Sequence, residues 1–119
     1  MNILAVDTAG KSAAVAILRD DTLLYETQCN NGMTHSETGL RIGLSVIKGL
    51  ALPRQIPCAG VSTMAALAYG LAGEGTVIGA QDARRGQVYW GAFDLATHTR
   101  LTEDTAAPVA SLEKFVQDC

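Results

Sequence analysis

The sequence predicts an α/β protein in which one opening motif is used twice. An apolar run, "ILAVD" (3–7), ends in an aspartate, turns through small and polar residues and resumes as "AAVAIL" (13–18). A second run, "IGAQD" (78–82), does the same and resumes as "QVYWGAF" (87–93). With 3–18 set beneath 78–93, Asp7 falls on Asp82 without a gap. Between and after the two copies lie segments whose apolar residues recur at helical spacing. Two similar hairpin starts in one chain imply a duplicated fold. We expect an amino-terminal domain over 1–74 and the start of a second domain over 75–119.

The elements follow in order. "NILAVDT" (2–8) is a short apolar run closed by a polar turn, as a buried strand would be. "SAAVAILRD" (12–20) is a second strand, and "RDDT" (19–22) supplies turn residues. "LLYETQC" (23–29) alternates apolar and polar positions, so the first thirty residues read as a three-strand meander. Thr34 and Glu37 then have the spacing of a capping box, the sign of a helix start. Thr38-Gly39 follows at once and leads into a second helical run, 39–52. That run is Leu, Ile, Val, Ala or Gly apart from one narrow stripe of Arg41, Ser45 and Lys48, and Pro53 closes it. "IPCAGVS" (56–62) reads as a strand. Ser62 or Thr63 caps the next helix, 63–73, which ends at glycine. Residues 76–95 read as strand, turn, strand, with Tyr89 and Trp90 on opposite faces. A last helix follows Pro108, with Leu112, Phe115 and Val116 on one face, and the chain stops in mid-pattern, as a piece of a longer protein would.

Composition narrows the function. A chain that is 48% hydrophobic and 18% charged forms an ordered core. No run is long enough to span a bilayer, and Asp7 interrupts the first apolar stretch too early for a signal peptide. A net charge of -3 argues against gripping nucleic acid through bulk charge. Cys29, Cys58 and Cys119 are odd in number and far apart, which reads as a reduced, cytoplasmic protein. His35 and His98 are also far apart, and no metal site is expected.

"AVDTAGKS" (5–12) has the spacing of a loose phosphate-binding loop. Such a loop must open a helix, and here the residues after Ser12 are "AAVAIL" followed by a turn. The stretch therefore predicts a hairpin with Lys11 in solvent. A carboxylate at a strand end also has a plain structural use, since it can accept from backbone N–H groups of a tight turn. Either role fits Asp7 and Asp82.

"ILAVDTA", "TGLRIGLSVIKGLA" (38–51), "GVSTMAALA" (60–68) and "DARRGQVYWGAF" (82–93) together resemble the TsaB (YeaZ) family, in the family's order and across the whole chain. The resemblance implies an actin-like (ASKHA, ribonuclease H-like) duplicated fold. It implies a non-catalytic partner in bacterial synthesis of N6-threonylcarbamoyladenosine, next to the anticodon of tRNA. The implied partners are a TsaD-type catalytic subunit, a TsaE-type ATPase and, in isolation, a second copy of the same chain. tRNA would be reached only through the complex, and no cofactor is implied.

The sequence departs from that family at one place. Family members carry a helix and a strand before the block that begins "TGLRIG"; here Thr38 follows Glu37 directly. The doubled helix start therefore reads as two starts joined across an omission of roughly 30 or more residues.

A helix that is apolar all round but for one stripe must bury more than one face. From the residues alone, 39–52 either lies wholly inside its own domain or offers one face to a partner. The resemblance implies the partner, with Leu40, Leu44 and Ile47 as anchors, Arg41, Ser45 and Lys48 at the rim, and Gly39 and Gly43 permitting close approach. Asp7, Thr8, Arg84 and Arg85 are weaker candidates for contact with a nucleotide or phosphate. No catalytic residue is assigned. The alternative class is an enzyme, a glycoprotease-like metallopeptidase or a small kinase of the actin fold. The first needs convergent metal ligands, and the second needs a nucleotide pocket with a metal-binding carboxylate.

Overall fold

The computed structural model describes residues 1–30 and 36–119, and for 36–38 the backbone only. The chain divides into two compact units, Met1–Ala59 and Gly60–Cys119. Gly75, where the sequence pattern repeats, falls inside the second unit.

The first unit is an antiparallel meander of β1 (Asn2–Asp7), β2 (Ala13–Arg19) and β3 (Thr22–Cys29), with β2 in the middle. β2 and β3 are joined by Asp20 and Asp21, both in the left-handed region with φ of 47° and 64°. A two-residue hairpin loop requires that conformation, and Asp tolerates it better than most residues. The amino terminus pairs with Asp20 and ties the start of β1 to this turn.

The helix α1 (Ser36–Ala51) runs unbroken through Glu37, Thr38 and Gly39. The second helix start seen in the sequence is not expressed as a separate helix, and Thr34 lies outside the described residues. A glycine inside a helix costs about 1 kcal/mol relative to alanine. Gly39 is nevertheless buried. A 3-10 turn, Leu52–Arg54, holds Pro53 in its first turn and ends the helical run.

Residues 56–62 are not a strand. Their apolar composition suits one, but a strand exists only through a ladder partner. β2 already has both of its neighbours, and β1 and β3 are each paired along one edge only.

The second unit begins with α2 (Thr63–Tyr69), shorter than the 63–73 expected because Gly70 is its C-cap. Ser62 caps it, its Oγ accepting from the Ala65 N–H at 3.2 Å. β4 (Thr76–Arg84) and β5 (Gln87–Asp94) form the predicted hairpin. Two short strands escaped the sequence reading. β6 (Thr99–Arg100) and β7 (Thr105–Pro108) both pair with β5 and divide its second edge between them. β5 is therefore the central strand, and it is the most buried one.

Strand alternation sorts the β5 side chains onto two cores. Phe93 packs with Met64, Ala65 and Ala68 of α2, while Val88, Trp90 and Ala92 pack with Leu112 and Phe115. The last two belong to α3 (Val109–Asp118). Trp90 and Phe115 meet with ring centroids 4.9 Å apart, whereas Tyr89, on the opposite face of the strand, is half exposed. Val116, grouped with Leu112 and Phe115 by its spacing, is exposed.

Gly79 sets how closely α2 lies on the sheet. A Cβ there would sit 2.2 Å from the Met64 carbonyl oxygen. Only glycine allows the helix backbone to rest directly on β4.

Candidate partner-binding helix and the paired aspartate turns

α1 sorts its residues around the helix axis. Gly39, Gly43 and Ala51 are buried and Ile47 is half-buried, one every four positions, so they form the inner edge. Thr8, just past the end of β1, fills the space beside Gly43: a Cβ on Gly43 would lie 2.2 Å from Thr8 Oγ1. Sequence reasoning assigned Gly43 to close approach by a partner helix. The structure gives that approach to Thr8 of the same unit.

On the outside, Leu40 and Leu44 form one apolar flank, 46% and 51% exposed. Ile42, Val46 and Leu50 form a second, each a little over half exposed. The polar stripe of Arg41, Ser45 and Lys48 runs between the two flanks. Ser45 Oγ donates back to the Arg41 carbonyl at 2.8 Å, so it is held against its own helix. The second flank was not singled out from the sequence, although the reading of 39–52 as apolar all round but for one stripe contained it.

Below the end of α1, Lys48, Ala51, Leu52, Gln55, Ile56 and Cys58 line an open apolar cavity of about 380 Å³. It extends the helix's apolar surface onto the following turn. Scattered exposed leucines are ordinary; here the exposed apolar residues are grouped in two flanks along one helix.

The two aspartates do the same thing in both halves. Asp7 Oδ1 accepts from the Ala9 N–H at 2.8 Å, and Asp82 Oδ1 accepts from the Arg84 N–H at 2.8 Å. Each carboxylate closes its own turn two residues on, which is the local reason for aspartate at both places. Ser12 leads directly into β2 rather than into a helix, so the phosphate-loop spacing is a coincidence of a hairpin. Arg84 and Arg85 are exposed at the β4–β5 turn with left-handed φ of 66° and 54°.

Elsewhere the strongest polar cluster is structural. Asp104 accepts from Ser62 Oγ at 2.6 Å and from the Arg100 guanidinium at 2.7 Å. Burial raises the Asp104 pKa, but the Ser62 and Arg100 hydrogen bonds and the Arg100 charge outweigh it and leave the carboxyl below its usual range. Arg100 also lies over the Phe93 ring, 5.1 Å from its centroid, so the cluster fastens the β6–β7 connection to the α2 core. Among the described residues no three His, Cys, Asp or Glu side chains converge as metal ligands would, and no helix is long and apolar enough to cross a membrane.

The meander with its packed helix, followed by a second strand–Asp–turn–strand unit, defines a duplicated α/β protein of the actin-like, ribonuclease H-like class. Two solved structures share the arrangement. YeaZ from Pseudomonas aeruginosa superposes with a TM-score of 0.76 at 26% identity, over 90% of this chain and 67% of that one. A crystal structure of an uncharacterized protein with similarity to peptidase YEAZ, from the same organism, gives 0.75 at 26% identity, over 90% and 66%. The chain belongs to the family described as "TsaD: tRNA N6-adenosine threonylcarbamoyltransferase", whose model matches residues 36–117, and within it the chain is similar to the TsaB (YeaZ) proteins.

The tRNA threonylcarbamoyladenosine biosynthesis protein TsaB of Escherichia coli (strain K12) is 30% identical over 127 residues, which take in 78% of this chain and 55% of that protein. The protein of that name from Bacillus subtilis (strain 168) is 31% identical over 126 residues, with the same two shares. The chain thus spans about half the length of these relatives. The 127 aligned positions draw on 78% of 119 residues, about 93, so about 34 positions of the E. coli protein have no counterpart here.

Proposed function

We propose that this chain is a non-catalytic partner subunit in the bacterial synthesis of N6-threonylcarbamoyladenosine in tRNA. In this reading it binds and activates a TsaD-type catalytic subunit through the outer surface of α1. The observation that carries it is the apolar flank of Leu40 and Leu44 beside the polar stripe of Arg41 and Lys48, on a helix whose inner edge is already used by Thr8. Central apolar anchors with a charged rim are the anatomy of a protein–protein interface. The names of the relatives supply the pathway.

A TsaE-type ATPase completes the assembly, and tRNA is met through the catalytic subunit. The same helix face would hold two copies of this chain together when the catalytic subunit is absent. The setting is the cytoplasm, where exposed Cys29, Cys58 and Cys119 stay reduced.

The turn residues named as candidates for nucleotide contact have other partners. Asp7 and Asp82 each close their own turn, and Thr8 is packed at Gly43. The test is reconstitution of tRNA modification with purified TsaD-type and TsaE-type partners, ATP, unmodified tRNA and a supplied activated threonylcarbamoyl donor. Modification that depends on this chain, and no modification by this chain alone, is the expected result. Modification by this chain in the absence of the TsaD-type subunit would overturn the proposal.

A further inference from the structure

The chain that follows α1 folds back and encloses space. Gln55 takes a left-handed φ of 52° and reverses the chain, so that Ile56 and Cys58 return beside the end of the helix. Two bonds hold the reversal: the Ile56 N–H donates to the Ala51 carbonyl at 3.0 Å, and the Gln55 N–H donates to the Leu52 carbonyl at 3.3 Å. The open cavity of about 380 Å³ has Ala51, Leu52 and Ile56 as its apolar wall and Lys48 as the charged residue of its lining. Leu52 is 80% exposed and Ile56 50%, so the wall is uncovered.

Charge around the cavity has one sign. The chain has a net charge of -3, yet residues 38–73 hold Arg41, Lys48 and Arg54 and no Asp or Glu. Lys48 makes no salt bridge among the described residues. The last carbonyls of a helix repel an anion, but those of Ala51 and Leu52 already accept the two N–H groups of the turn.

We propose that this cavity binds a small amphipathic monoanion, a free carboxylic acid of medium chain length. Its hydrocarbon body lies on Ala51, Leu52 and Ile56, and its carboxylate pairs with the Lys48 ammonium. Small-molecule sites run from roughly 300 Å³ upward, and this cavity falls within that range. A stable protein interface needs roughly 800 Å² from each partner, more than a single turn supplies. Burial of the hydrocarbon drives binding, and the unpaired cation fixes its direction. The inference does not rest on the proposed function, because neither Leu40 nor Leu44 lines the cavity.

The experiment is alkylation of the full chain by iodoacetamide, read cysteine by cysteine by peptide mass spectrometry, with decanoate as the probe. Cys58 lines the cavity, and the exposed Cys29 and Cys119 lie outside it as internal controls. Decanol and decyltrimethylammonium are the neutral and cationic controls. The expected result is half-maximal protection of Cys58 at about 1 mM decanoate, with alkylation slowed about tenfold at ten times that concentration and the other two cysteines unchanged. Decanol and the Lys48→Gln variant should each raise the half-point about fivefold or more, and the cation should not protect. Lys48 is exposed, so the variant keeps the fold. Equal slowing of all three cysteines, equal protection by decyltrimethylammonium, protection unchanged in Lys48→Gln, or no protection at all overturns the proposal. Protection of Cys58 by a TsaD-type subunit and not by decanoate also overturns it, because the occupant is then a protein.

Discussion

Replacing Gly79 by alanine adds one methyl group, and the structure says where it goes. The new Cβ lies 2.2 Å from the Met64 carbonyl oxygen, 2.9 Å from its carbon and 3.0 Å from its Cα. All three are backbone atoms, so no side chain can swing aside. Relief requires α2 to lift from β4, about 1 Å if ordinary van der Waals separation is to be restored. Met64, Ala65 and Ala68 would then part from Phe93, the most completely buried large side chain of the described residues. Overpacking of this kind costs about 1–3 kcal/mol, and a rigid backbone contact belongs at the upper end. Alanine recovers about 0.4–1 kcal/mol by restricting the unfolded chain. The net loss is about 2 kcal/mol, which lowers the melting temperature of a domain this small by about 8–16 °C. Thermal unfolding followed by the fluorescence of Trp90, the single tryptophan and a residue of the same unit, reads the effect. A G79A protein that melts within 2 °C (about 0.3 kcal/mol) of wild type would refute the direct seating of α2 on β4.

Two further substitutions test other parts of the account. Gly49→Ala on α1 meets nothing within 4 Å, so it should stabilise the first unit by about 0.5–1 kcal/mol through helix propensity, read as a raised urea midpoint for far-UV signal. Asp104→Asn removes a carboxylate whose pKa lies below the ordinary 3.8, so its contribution is present above that value and is lost as pH falls through the lower, folded one. The side chain is 39% exposed, which holds the effect to about 1 kcal/mol at neutral pH. The gap between variant and wild type should narrow as pH falls below 3.8 and close once pH is below the lower, folded pKa; a gap unchanged between pH 7 and that acid range would contradict the assignment.

Much of this fold is legible in the residues because the relevant signals are local. Alternation gives β3, the aspartate and glycine turns give the two hairpins, and the spacing of Leu112 and Phe115 gives α3. The aligned aspartates turned out to make the same bond in both halves. What was missed depends on distant partners. "TAAP" in β7 and "TR" in β6 carry no strand signal of their own and exist because β5 has an edge to fill. "IPCAGVS" carries the signal but pairs with neither open edge of the meander, and nothing in its own residues explains why.

The candidate site was legible in outline only. Periodicity showed that α1 must bury more than one face, but not which. Gly43 looks the same in sequence whether a partner or Thr8 lies against it, and only the structure separates the inner edge from the outer flanks.

The most direct test of the central claim is size-exclusion chromatography of this protein with its TsaD-type subunit, comparing wild type with Leu44→Asp. Leu44 is 51% exposed, so the substitution should leave the melting temperature close to that of wild type. The account predicts a stable complex for wild type and a loss of affinity of about 30-fold or more for the variant, the usual cost of removing a central apolar anchor. A folded variant that binds as tightly as wild type would contradict the placement of the interface on the outer face of α1.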